Sequence, residues 1–198
     1  MANKRLFVFA AYDVQGLVDG SLLHYVSELT KVGDVVFVMD SNATDEELDK
    51  VKKLGNVLYA SAERHNEYDF GSYKRGFKYA LDNGLLNKYD WVYFVNDSVY
   101  GPLWGLAPIL QDLESRGVDF TGMVDFENAL TPVQIQSWFL GLSKKLVKQS
   151  FVADFFDKVC HQEEKQLIVL KYEVGLSRLI LKNGYMFSTL VKGQIGEV

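Results

Sequence analysis

Five short runs along the chain are apolar at nearly every position: RLFVFAAYD from Arg5, DVVFVMD from Asp34, NVLYASA from Asn56, DWVYFVND from Asp90 and VDFTGMVDF from Val118. A strand with one wet face alternates apolar and polar residues, whereas a strand covered on both faces stays apolar throughout. The runs therefore predict buried strands, in the parallel arrangement that two-sided covering favours. Between them the apolar period changes. Val18, Leu22, Val26 and Leu29 recur at helical spacing, as do Tyr73, Phe77, Ala80 and Leu81, then Leu106, Ile109, Leu110 and Leu113. Strand and helix in alternation predict an α/β fold with right-handed crossovers, a mainly parallel sheet flanked by helices on both faces.

Start and stop signals agree with this reading. Asn42-Ala43-Thr44 ahead of Asp45, Glu46 and Glu47 supplies a cap and acidic residues for a helix N-terminus. Asn83-Gly84 and Asn183-Gly184 each follow a periodic run and mark helix ends. The sequence shows no internal repeat and no low-complexity linker, so residues 1–190 read as one domain. The last eight residues, VKGQIGEV, are aperiodic and read as a tail or the start of a further region.

Composition narrows the class. At 198 residues, 48% hydrophobic and only three prolines, the chain can bury a core, which excludes disorder and a disulfide scaffold. A net charge of −5 argues against a general nucleic-acid partner. The single cysteine, Cys160, fits a reducing compartment. The apolar run near the N-terminus meets Tyr12 and Asp13 too soon for a signal peptide, and no stretch approaches the ~20 apolar residues of a membrane span. The expectation is a cytoplasmic protein. Lys144, Lys145 and Lys148, set among Leu142, Leu146 and Val147, form a short basic face. Solvent is its simplest partner, with peripheral contact to anionic lipid at the inner face of the membrane as the alternative.

In open parallel sheets, ligands bind outside the carboxyl ends of the strands. The residues expected there are polar: Tyr12 and Asp13, then Asp40, Ser41 and Asn42, then the stretch from Glu63 to Asp69, then Asn96, Asp97 and Ser98. No glycine-rich phosphate loop follows the first strand. A bound phosphate would need another source of positive charge, and a divalent cation on a carboxylate supplies one.

The stretches HNEYDFGSYKRG from His65 and YDWVYFVNDSVYGPL from Tyr89 resemble the rhamnan synthesis protein F family of glycosyltransferases. IQSWFLGLS from Ile135 and KYEVGLSRLILKNGY from Lys171 support the match. FAAYD and VVFVMDSNATDEEL are similar to family 2 glycosyltransferases of the A-type (GT-A) fold. The resemblance implies that Asp40 accepts a hydrogen bond from a pyrimidine base, with Tyr12 packed nearby and Asn42 beside it. It implies that Asp69, Lys74 and Arg75 line the nucleotide and sugar pocket. Asn96, Asp97 and Ser98 stand in the place of an Asp-any-Asp motif, but with one carboxylate instead of two. Asp97 would then hold Mn2+ or Mg2+ together with donor diphosphate oxygens. Glu173 corresponds to the catalytic base of inverting relatives, with Gln136 and Ser137 on the acceptor side. No late histidine ligand is evident, His161 being the last in the chain.

Each assignment has a plainer competitor. Asp97 and Ser98 suit a turn before Gly101-Pro102; Asp69 or Ser72 suits a helix cap; Glu173 borders an apolar stripe of Tyr172, Leu176, Leu179 and Ile180. Lys74 and Arg75, near a helix start, oppose the macrodipole, which favours an anion nearby. The resemblance thus implies inverting transfer of rhamnose or a related deoxyhexose from a nucleotide-diphosphate donor, dTDP-rhamnose foremost. The acceptor would be a glycan or lipid-linked glycan of a cell-surface polysaccharide. The alternative is a non-catalytic sugar-nucleotide-binding or assembly module.

Overall fold

The computed structural model describes residues 3–127 and 133–193. All five expected strands form: β1 (Arg5–Ala11), β2 (Asp34–Met39), β3 (Val57–Ala62), β4 (Trp91–Asn96) and β5 (Phe120–Phe126). With β6 (Gln134–Ile135), β7 (Phe139–Ser143) and β8 (Phe187–Gly193) they make one eight-stranded sheet. Its order is β3-β2-β1-β4-β7-β5-β6, with β8 paired to β5. The helices are α1 (Gly20–Thr30), α2 (Asp45–Lys52), α3 (Tyr68–Asp82), α4 (Ala107–Ser115), α5 (Lys144–Val147), α6 (Ser150–Asp157), α7 (Lys165–Ile168) and α8 (Gly175–Lys182). A π-helical turn, Val169–Val174, joins α7 to α8.

The pleat explains the unbroken apolar runs. On β1, Leu6, Val8 and Ala10 enter one core cluster with Phe77 of α3, Phe156 of α6 and Ile180 of α8. Phe7, Phe9 and Ala11 enter a second cluster with Val26 of α1, Val51 of α2 and Leu110 of α4. Helices therefore cover both faces, as expected. Gly76 lets α3 lie directly on β1, because any Cβ there would run into the Val8 side chain. Thr44 accepts the Glu47 N–H at the start of α2, and Gly84 and Gly184 take left-handed φ values of 65° and 82° where α3 and α8 end.

The mainly parallel expectation holds for four of the seven strand pairs, the fourth being β5 with β8. The β3-β2-β1-β4 half is parallel, but β7 runs antiparallel to both β4 and β5. The connection from β5 to β7 passes through β6 instead of a crossover helix, and a short return of that kind yields antiparallel neighbours. β8 also carries the chain past the expected boundary at residue 190, since it continues to Gly193. Asp125 fastens it by accepting the Thr189 hydroxyl and the Gly193 N–H, each at 2.9 Å. The rest of the expected tail lies outside the described residues.

Candidate functional site

Strands β1, β2 and β4 end side by side, and a cavity of about 670 Å³ opens at that edge. Parallel register places Ala10 opposite Asn96, so the next residues of the two strands meet. There the Asp97 carboxylate accepts the Tyr12 N–H at 2.7 Å. Asp40, at the end of β2, accepts the N–H groups of His65 and Asn66 at 2.9 and 3.1 Å on one oxygen. Arg64 lies 3.2 Å from that same oxygen, and its guanidinium sits 5.0 Å from the Tyr12 ring centre. Asp40 thus pins the loop that follows β3, and its second oxygen lies 3.5 Å from the buried His65 Nδ1.

The HNEYDFGS stretch folds as one hydrogen-bonded unit. Buried His65 accepts the Glu67 N–H through Nδ1, which puts its proton on Nε2 toward the Ser72 hydroxyl at 3.0 Å. Burial, with the Arg75 charge beside it, holds this imidazole below the usual range. A Cβ on Gly71 would collide with the His65 ring and Glu67, so glycine is required by close approach. Asn66 and Tyr68 take φ values of 57° and 58° and both line the cavity. Asparagine tolerates that region; for tyrosine it costs about 1–2 kcal/mol. Strain is stored at the mouth of the site.

The far wall is built on Ser137. Its hydroxyl donates to Asp69 at 3.1 Å, its N–H donates to Glu173 at 3.0 Å, and its carbonyl accepts the Tyr73 hydroxyl at 2.8 Å. Asn96 donates to the same Asp69 oxygen at 3.0 Å. Gln134 donates to the other oxygen of Glu173 at 2.9 Å. Glu173 sits in the π-helical turn, a distortion common at functional sites, and it lines the cavity. It is held by hydrogen bonds, so the reading of it as a mere solvent neighbour of an apolar stripe does not survive.

Asp40, Asp69, Asp97 and Glu173 line the cavity against the guanidinium of Arg64 and the imidazole of His161. Burial raises the carboxyls of Asp69 and Glu173 above the ordinary range, overcoming the hydrogen bonds that favour their ionised forms. Burial likewise pushes Asp97 up to about 6, helped by the charges of Asp69 and Asp13 and opposed by the Tyr12 N–H. A bare diphosphate would meet net negative charge here. Among the described residues no group of three His, Cys, Asp or Glu side chains could hold a metal ion. The donor set fits only a cation that arrives with phosphate oxygens and shares Asp97, the arrangement magnesium commonly adopts.

Tyr12, Asp40, Asp69, Asn96, Asp97, Gln136, Ser137 and Glu173 all line the cavity; Lys74, Arg75 and Asn42 do not. The Lys74 ammonium donates to the carbonyls of Asp157 and Val159 at 3.1 and 2.8 Å. It satisfies the C-terminal end of α6, so its charge answers that helix and not an anion. Arg75 pairs with Glu67 at 2.5 Å and with Glu63, one turn and more away on the surface side. Asn42 is exposed beyond β2. On the basic face, Lys145 is paired with Asp119 at 2.9 Å, which removes part of the attraction for anionic lipid.

Arg64, which the sequence placed only within the polar stretch after β3, also lines the cavity, as do Trp138 and His161, to which the sequence assigned no site role. His161 donates from Nδ1 to the Asn66 carbonyl at 2.6 Å, which frees Nε2. Its sequence distance of 95 residues from Asn66 hid the pairing. Trp138 packs partly on the core and also lines the cavity, donating to Gln136 at 3.0 Å. No helix among the described residues is long and apolar enough to cross a membrane.

The fold and cavity together define an α/β protein whose cavity opens at the carboxyl edge of a parallel set of strands, the edge where open parallel sheets bind ligands. The chain belongs to the rhamnan synthesis protein F family, whose sequence model matches residues 35–197. The family is described by rhamnan synthesis. The chain is similar to an uncharacterized protein of Sinorhizobium fredii, y4gN, at 22% identity over 186 residues. The match covers 92% of this chain and 47% of y4gN, so the chain spans about half the length of that curated relative. The crystal structure of HddC from Yersinia pseudotuberculosis has a similar fold, with a TM-score of 0.53 at 14% identity over 96% of this chain and 90% of HddC.

Proposed function

We propose that this chain is a glycosyltransferase of the A-type fold that moves rhamnose or a related deoxyhexose from a nucleotide-diphosphate donor, dTDP-rhamnose foremost, to a glycan or lipid-linked glycan, with inversion. The observation that carries the reading is one cavity lined by Asp97 at the end of β4 and by Glu173 from the π-helical turn, both held by backbone N–H groups. Asp40 and Tyr12 receive the nucleotide base, at the ends of β2 and β1. Asp97 would hold a divalent cation that arrives with the donor, and such a cation would supply positive charge for the leaving group. Arg64 adds positive charge at the same edge. Glu173 takes the proton of the acceptor hydroxyl from the face opposite the leaving group, which inverts the anomeric centre.

Calorimetry with thymidine and uridine diphosphates, with and without Mn2+, tests the donor site. The reading expects binding that Mn2+ strengthens; no binding of either nucleotide at millimolar concentration removes it. A second reading, a sugar-nucleotide-binding module without turnover, is favoured by the single carboxylate, Asp97, in the Asn96-Asp97-Ser98 position. Donor hydrolysis that depends on Mn2+ and is lost in Asp97→Asn decides for the enzyme.

A further inference from the structure

We infer that Gln134, a buried residue outside the sequence-derived site, is the positioning residue that holds Glu173 in both its ionised and its proton-carrying state. The inference rests on the reading of Glu173 as the base. Gln134 is 5% exposed and lies on the two-residue strand β6. That strand is anchored beside the π-helical turn by three bonds: Gln134 Nε2 to Glu173, Ile135 N–H to the Ser177 hydroxyl at 3.1 Å, and Ser137 N–H to Glu173.

The amide is bonded on one side only. Nε2 donates to Glu173, while Oε1 is buried with no hydrogen-bond partner among the described residues. Leaving a buried acceptor unmet is costly, so the orientation needs a cause. An ionised carboxylate only accepts, and it can face only the nitrogen of the amide. Once Glu173 carries a proton it becomes a donor. Rotation of the Gln134 amide by half a turn then brings Oε1 to that proton, and the unmet acceptor is satisfied.

In the transfer step the acceptor O–H bond breaks as its oxygen bonds to the anomeric carbon. The anomeric C–O bond breaks with its electron pair going to the diphosphate, and the proton ends on Glu173. Gln134 thus exchanges a bond to the carboxylate for a bond to the carboxylic acid, so Glu173 stays in place while the proton moves. The charged and titratable groups around Glu173 are Asp69 and Tyr73 of α3, Asp97 after β4, and Arg64 and His161 across the cavity, with Lys171 and Tyr172 on its own turn.

The test is carboxyl-carbon NMR of glutamate-labelled protein, with the Glu173 signal assigned by its loss in Glu173→Gln. Gln134→Met fills the same space without a donor. The inference expects the Glu173 midpoint to rise by roughly one pH unit, because the bond lost from the charged form is stronger than the one lost from the proton-carrying form. It also expects the Gln134 side-chain N–H2 signals in the wild type to move with the Glu173 midpoint. An unmoved midpoint, or amide signals indifferent to it, overturns the inference while leaving the base assignment standing. In transfer assays, Gln134→Met should lower kcat about ten- to hundred-fold with donor KM unchanged. Full transfer by Glu173→Gln would instead refute the base assignment and leave the NMR result untouched. If Gln134→Met does not fold, Gln134→Asn, whose amide ends one methylene short, serves the same comparison.

Discussion

Replacing Asp97 by asparagine should make the protein more stable, and the gain should depend on pH in a particular way. Burial pushes the Asp97 carboxyl from 3.8 to about 6, with Asp69 and Asp13 adding repulsion. The folded chain therefore disfavours the ionised form. Wild-type stability is fullest below about pH 4, declines as pH rises through 6, and is lowest above it. A displacement of that size corresponds to about 3 kcal/mol at neutral pH. Asparagine keeps an oxygen for the Tyr12 N–H, which the aspartate accepts at 2.7 Å, and carries no charge. Asp97→Asn should thus gain up to about 3 kcal/mol near pH 7.5, a melting shift of roughly 6–12 °C for a domain of this size. Near pH 4 the two proteins should melt together. Urea and thermal unfolding of both at the two pH values measure it. A variant no more stable at pH 7.5, or equally stabilised at both, would refute the account of Asp97 as a buried, repelled carboxylate. The same substitution should abolish any strengthening of nucleotide binding by Mn2+, since the charge that costs stability is the one a cation would use.

Glu173→Gln should leave nucleotide affinity intact while transfer falls about 100- to 10,000-fold, read from kinetics and calorimetry on one preparation. Lys74→Met should lower stability by about 1 kcal/mol, through the lost contact with the end of α6, and leave nucleotide binding unchanged; weakened binding would return Lys74 to the site. Gly76→Ala should destabilise by about 1–3 kcal/mol in a denaturant titration, because the added methyl meets Val8 of β1. Binding of the diphosphate with Mn2+ should weaken as pH falls below about 6, where a proton competes for Asp97.

The five covered strands and the helices over both faces were legible because their signals are local. The period of 2 or 3.6 is written in adjacent residues, and a run such as Leu6 to Ala11 stays apolar only if both sides of its pleat are buried. The polar strand ends were legible for the same reason, and Tyr12, Asp40, Asn96 and Asp97, at or just past them, line the cavity. Lys74 misled because a charge near a helix start says only that some partner exists. Which one, an anion or the carbonyls at the end of α6, depends on a segment about 80 residues away in the chain. The same long-range packing decided what no period could express: the antiparallel placement of β7, the extension of β8 to Gly193, the arrival of His161 beside Asn66, and the bond from Gln134 that holds Glu173. Sequence pattern reports which side of each element is buried; which elements share a cavity is set by how those buried sides pack together.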